Sequence, residues 1–211
     1  MVIILVIIQV QTLTSMTKAQ EVQLSTYIAF EKHIMHLPVL LEKHPHIRPY
    51  FDIFCQQIQL ILKNKYMLEE SEKITNQYSL LRNELAKTIL FFSRKITAFA
   101  LLEELTDLQG VFCYSYEELF LAPDDKLLDI SNLILKKTQE YLTGIAEYGI
   151  RDFTISDFQK TIDQFLLLQN DKKTSDLIAE DAAIHISDVL ADTELLFNSK
   201  LAPMVNASVT S

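Results

Sequence analysis

Residues 74–99 read ITNQYSLLRNELAKTILFFSRKITAF, and this stretch decides the fold. Ile74, Tyr78, Leu81, Leu85, Ile89, Phe92, Ile96 and Phe99 follow one another at steps of 4, 3, 4, 4, 3, 4 and 3. Such steps hold every apolar side chain on one face of an α-helix, which turns once in 3.6 residues. A half-buried strand would need apolar side chains at every second position instead. A long helix with one apolar face is a bundle helix, and Gly110 is the residue expected to close it.

The same period extends both ways. Upstream, Tyr27, Phe30, Ile34 and Leu37 form the stripe of a first helix beginning at Lys18, ended by the Leu37-Pro38 junction. After a loop running from His44 to Pro49, the stripe Ile47, Phe51, Phe54, Ile58 and Ile61 marks a second helix. Pro49 suits its first turn. Downstream, Ser115 and Glu118 have the spacing of a capping box for a short helix. Pro123 followed by Asp124 and Asp125 starts a further long helix carrying Leu127, Ile130, Ile134, Tyr141, Ile145 and Tyr148. Gly149 fits the left-handed position after it, with Ile150 packing behind. Ser156 and Gln159 read as another capping box, opening a helix with Phe158, Ile162, Phe165 and Leu166. Polar residues 169–175 mark a break or an exposed stretch before a final helix from about Asp176 to Lys200. No internal repeat stands out, and short connections make successive helices antiparallel. The expected fold is all-α: an antiparallel bundle of about four long helices with one or two short ones. Residues 16–205 form its single domain and residues 206–211 a disordered tail.

Composition narrows the function classes. Three Gly and five Pro among 211 residues are too few turn formers for a β-sandwich or barrel. The 49% hydrophobic content is ample for a core and excludes disorder. A net charge of −9 argues against a nucleic-acid binder. Two cysteines make no disulfide framework and point to reduced thiols in a cytoplasmic protein. Residues 1–15 are uncharged, and their apolar run of about ten residues is too short to span a bilayer as one helix, so no transmembrane span is expected. Three readings stay open for this segment: a true start at Met16, a disordered or loosely docked tail, or export and membrane association.

With glycine only at 110, 144 and 149, no phosphate-cradling loop exists. No GxSxG, HExxH or Glu-x-x-His occurs either. Two groups of residues are candidate metal ligands. His33 and His36 share a helix face, and His44 and His46 follow in the proline loop, an imidazole-rich set suited to Zn, Cu or Ni. On the final helix, Asp181, His185, Asp188 and Asp192 recur at steps of 4, 3 and 4. Leu177, Ile184 and Leu195 flank them on one side, and Ile178, Val189 and Leu196 on the other. This places a charged stripe down the middle of what hydropathy makes the buried face, where carboxylates need partners. Lys or Arg from another helix (Arg82, Arg94 or Lys95), a solvent- or partner-facing rim, or a divalent cation would each meet that need.

The order of several short motifs resembles a family of uncharacterised all-helical proteins of about 200 residues from Bacteroidetes-type bacteria. The motifs are Arg82-x-x-Leu85, the segment from Ser115 to Leu119, Tyr148-Gly149-Ile150, Ile162-Asp163-Gln164-Phe165 and the apolar ending from Leu195 to Val205. Lys172-Lys173 and Ala202 stand where that family has a Pro-Arg pair and an Asp. The resemblance implies a helical bundle and no known activity, so it carries over no functional residue.

Charge is unevenly distributed. Up to Ser115 the chain has eleven basic and eleven acidic residues, and from Tyr116 onward eight and seventeen. Between Lys173 and Lys200 there are six acids and no Lys or Arg. The leading expectation is a non-enzymatic structural or interaction module whose acidic last helix takes a basic protein partner, or which self-associates. The alternatives are a divalent-metal-binding bundle using the acidic/His stripe, extending to a metalloenzyme, and an exported or membrane-associated protein acting through residues 1–10.

Overall fold

The computed structural model describes residues 15–209, so the expectations placed on residues 1–14 lie outside it. The described residues are all-α, without a strand. The helices are α1 (Lys18–Met35), α2 (Pro38–Lys43), α3 (Arg48–Leu102), α4 (Tyr116–Leu121), α5 (Asp124–Glu140), α6 (Leu142–Ile145), α7 (Asp152–Leu196) and α8 (Ala202–Val209). A 3₁₀ turn, Ala146–Tyr148, follows α6, and a π-helical turn, Phe197–Leu201, joins α7 to α8. Residues 206–209, expected within a disordered tail, belong to α8.

The largest departure from expectation is continuity. The second and third expected helices are one, the 55-residue α3. The expected break or exposed stretch at residues 169–175 lies inside the 45-residue α7, which also absorbs the Ser156 capping box by starting at Asp152. The apolar stripe lapses where the buried positions are polar: Asn64 and Ser71 on α3, Gln169 and Ser175 on α7. Asn64 donates to the Leu60 carbonyl (2.9 Å) and Ser71 to the Ser175 carbonyl (3.3 Å), so burying them leaves these donors satisfied.

Helix ends follow local chemistry. Thr17 and Gln20 form a further capping box, at the start of α1. Leu37, ahead of Pro38, leaves the helical region, and Pro38 opens α2. The Ser115–Glu118 box caps α4 as expected. Gly110 does not close α3. The helix ends eight residues earlier, where Glu104 takes the left-handed conformation (φ 54°) and the Leu105 N–H reaches back to the Ala100 carbonyl at 2.9 Å. Pro123 precedes α5 as its cap residue, and α5 stops at Glu140 instead of continuing to Tyr148. Gly149 has the expected left-handed φ of 86° and Ile150 is fully buried.

The chain divides into two compact units, Met1–Lys73 with Lys173–Ser211, and Ile74–Lys172. In the first, Leu24, Tyr27 and Ile34 of α1 and Phe51, Phe54 and Ile58 of α3 share a core with Ala182, Ile186 and Leu190 of α7. In the second, the stripe from Leu85 to Phe99 packs with Leu127, Ile130 and Ile134 of α5 and with Phe158, Ile162 and Phe165 of α7. Gly144 of α6 sits against this core, and a Cβ there would lie 2.5 Å from the Phe99 ring. That ring is held between Tyr141 and Tyr148. Gly144→Ala is therefore expected to destabilise the protein by about 1–3 kcal/mol despite alanine's better helix propensity. Pairing it with Phe99→Leu should recover part of that loss in urea unfolding.

Candidate functional site

Of the residues singled out by sequence, Asp181, His185, Asp188 and Asp192 lie on the part of α7 within the first unit, and all four are exposed. The buried positions are Ser175, Ala179, Ala182, Ile186, Leu190 and Thr193. With Asp181 as zero and about 100° per residue, these occupy about 100° to 180°, so the helix is turned well away from the orientation its hydropathy suggested. Four of the six residues on this core face, Ser175, Ala179, Ala182 and Thr193, are small. Two exposed hydrogen bonds from α1 accompany this rotation: Gln20 donates to Ser187 (3.2 Å) and Gln23 to Glu194 (3.3 Å).

This rotation leaves large apolar side chains outside. Leu177, Ile184 and Leu195 are 66%, 52% and 68% exposed beside the acids. Asp188 and Ile184 also line a cleft of about 290 Å³ against Thr17 and Gln20 at the start of α1. The expected pairing of the acids with Arg82, Arg94 or Lys95 is not what forms. Arg82 bonds Asp124, Lys95 stands over the Phe91 ring at 5.7 Å, and the described residues place no Lys or Arg in ion-pair contact with Asp181, Asp188 or Asp192.

The histidines have local roles. His36 caps α1, its Nδ1 donating to the Lys32 carbonyl at 2.6 Å, because a carbonyl can only accept. His44 ends α2 and its ring meets His46 edge-on, with centroids 5.8 Å apart. His33 is exposed on α1. Among the described residues no three His, Cys, Asp or Glu side chains gather as a metal would require, in either candidate set. Cys55 is half-buried; burial first, then a hydrogen bond with Glu31, pushes its thiol up to about 12, which makes it a poor nucleophile at neutral pH.

The densest polar cluster was not anticipated as a unit. Asp124, the first residue of α5, accepts from the Tyr78 hydroxyl, from Gln169 (3.1 Å) and from Arg82 Nε (3.2 Å). Arg82 also donates to the carbonyls of Phe120 (2.6 Å) and Ala122 beyond α4. Its guanidinium lies 5.8 Å from the centre of the Phe120 ring. These side chains engage one another, so the cluster ties α3, α5 and α7 together within the second unit. The legible signals were Arg82 itself and an acid at a helix start.

No helix among the described residues is long and apolar enough to cross a membrane. Compared with protein-family models, with curated proteins and with solved structures, the chain matches none.

Proposed function

We propose that this chain is a non-enzymatic helical interaction module, and that the exposed face of α7 over residues 177–195 docks a basic, amphipathic helical partner. The observation that supports this is the juxtaposition of Asp181, Asp188 and Asp192 with exposed Leu177, Ile184 and Leu195 on a stretch without any Lys or Arg. Unpaired carboxylates beside solvent-exposed leucines match a partner helix with Lys or Arg flanking an apolar stripe. In this reading the shared core of α1, α3 and α7 in the first unit holds the face in place.

The probe is a synthetic amphipathic Lys/Leu helix titrated against the full chain. Replacing Asp181, Asp188 and Asp192 together by Asn is expected to weaken binding at least tenfold and to flatten its salt dependence. Leu177→Ser with Leu195→Ser should weaken it while leaving the salt dependence in place. Equal affinity for wild type and the triple variant would sink the reading. A melting temperature raised by Mg²⁺ or Mn²⁺ in wild type, and not in the triple variant, would favour the divalent-metal alternative instead.

A further inference from the structure

α3 and α7 carry matching segments within the second unit. α3 reads Gln77-Tyr78-Ser79-Leu80-Leu81-Arg82-Asn83-Glu84, and α7 reads Gln164-Phe165-Leu166-Leu167-Leu168-Gln169-Asn170-Asp171. Gln, both central leucines and Asn recur, and Tyr/Phe and Glu/Asp are conservative exchanges, all at a spacing of 87 residues (77 to 164, 84 to 171). Such a recurrence does not stand out along the chain, because a single copy inside each of two helices sets up no periodic signal.

Geometry gives the repeat its meaning. The two helices run antiparallel here: Tyr78 stacks on Phe165 at 5.5 Å, while Phe92, further along α3, meets Phe158, further back on α7, at 4.6 Å. Matching antiparallel segments that meet at corresponding residues are related by a local two-fold axis passing between Tyr78 and Phe165. Between the helices opens a shallow groove of about 480 Å³ whose lining is made of corresponding pairs. Leu80 and Leu167 are its most exposed apolar members, at 71% and 67%. Leu81 pairs with Leu168, Gln77 with Gln164 and Glu84 with Asp171. Among the described residues, none of those four polar side chains makes a hydrogen bond or ion pair.

We propose that this groove is a homodimer interface, occupied by the same groove of a second copy of the chain. An isologous contact needs a self-complementary patch, and this one has the required pattern. In either two-fold pairing of two such grooves, each facing pair of helices is antiparallel and centred on its leucines. A Gln seven residues before an acid then arrives opposite the acid of the other copy, where its amide donates to the carboxylate. Leucine meets leucine at the centre and donor meets acceptor at both ends. A basic partner would leave the two glutamines without acceptors, so a second copy fits the surface better. This interface uses different residues from the acidic face of α7 and does not rest on that reading.

Sedimentation velocity of the full chain over a concentration series is expected to show a reversible dimer. Leu80→Glu with Leu167→Glu should weaken it at least tenfold, and both side chains are exposed in the single chain, so the helical content should be retained. Gln77→Lys with Gln164→Lys places a cation opposite each carboxylate. It should tighten the dimer severalfold at low salt, with the gain lost at high salt. A wild type that stays monomeric, a glutamate variant that dimerises as wild type does, or a lysine variant that binds no tighter would each overturn the proposal.

Discussion

Phe54→Ala is expected to destabilise the protein by about 3–5 kcal/mol. The ring is fully buried on α3, in the first unit. Tyr27 and Phe30 of α1 meet it edge-on at 5.5 and 5.6 Å, and Phe197 of the π-helical turn stacks on it at 5.9 Å. Phe197 itself contacts Tyr27 and Phe30, at 5.6 and 4.9 Å, so the four rings form one closed set. Truncation removes the transfer free energy of the ring and leaves a hole bordered by three other rings. Two of those rings are held by α1 and the third by the π-helical turn, so they cannot collapse inward freely, which places the cost in the upper part of the range for cavity-forming changes. The control is Phe153→Ala, on a side chain 64% exposed, expected to change stability by no more than about 0.5 kcal/mol. Urea unfolding followed by circular dichroism reads both. A loss below about 1 kcal/mol for Phe54→Ala would show that the rings do not pack as one set.

The fold class was legible because one physical signal dominates the chain. Leu85, Ile89, Phe92 and Ile96, picked out by the 3–4 step alone, are all essentially fully buried. The capping box at Ser115 and the left-handed Gly149 were legible for a related reason: each depends on a few adjacent residues and on no distant contact. Helix continuity is hidden from hydropathy alone. The better signal was the absence of breakers, since no Gly or Pro occurs between Pro49 and Gly110, or between Gly149 and Pro203. Small polar residues such as Ser71 and Ser175 let two backbones approach and are invisible to an apolar count. The orientation of α7 failed in the same way. Ala179 and Ala182 carry little hydrophobic weight, so Leu177 and Ile184 pulled the inferred buried face toward themselves, although they lie outside. Surface leucines are common enough that a face should be assigned by what packs, and only tertiary contacts supply that. The Arg82 cluster was illegible as a cluster, because its members are drawn together from α3, α5 and α7 by the fold itself.

Arg82→Met is expected to cost about 3 kcal/mol near neutral pH, and its pH dependence tests the cause. The side chains of Arg82 and Asp124 are 16% and 26% exposed, so solvent replaces little of what the substitution removes. Methionine fills much of the same volume but leaves the Phe120 and Ala122 carbonyls without their donor and Asp124 without its cation. In the wild type, burial pushes the Asp124 carboxyl up, and hydrogen bonds from Tyr78, Gln169 and Arg82 together with the Arg82 charge outweigh it, so its pKa lies below the ordinary aspartate value of 3.8. A carboxyl depressed in the folded state adds stability above its unfolded pKa, and that part is lost as pH falls through the folded value. The wild type should therefore lose this contribution only below about pH 4. Without Arg82, burial regains weight and the carboxyl rises toward or above its unfolded value, so protonation no longer opposes folding. The gap between wild type and Arg82→Met should then be widest at neutral pH and shrink in acid, whereas a packing defect would give a gap independent of pH. Asp124→Asn separates the two: it removes the titrating group, and the remaining effect of Arg82→Met in that background should be flat with pH. If it still narrows below pH 4, another carboxylate carries the effect and the assignment to Asp124 fails.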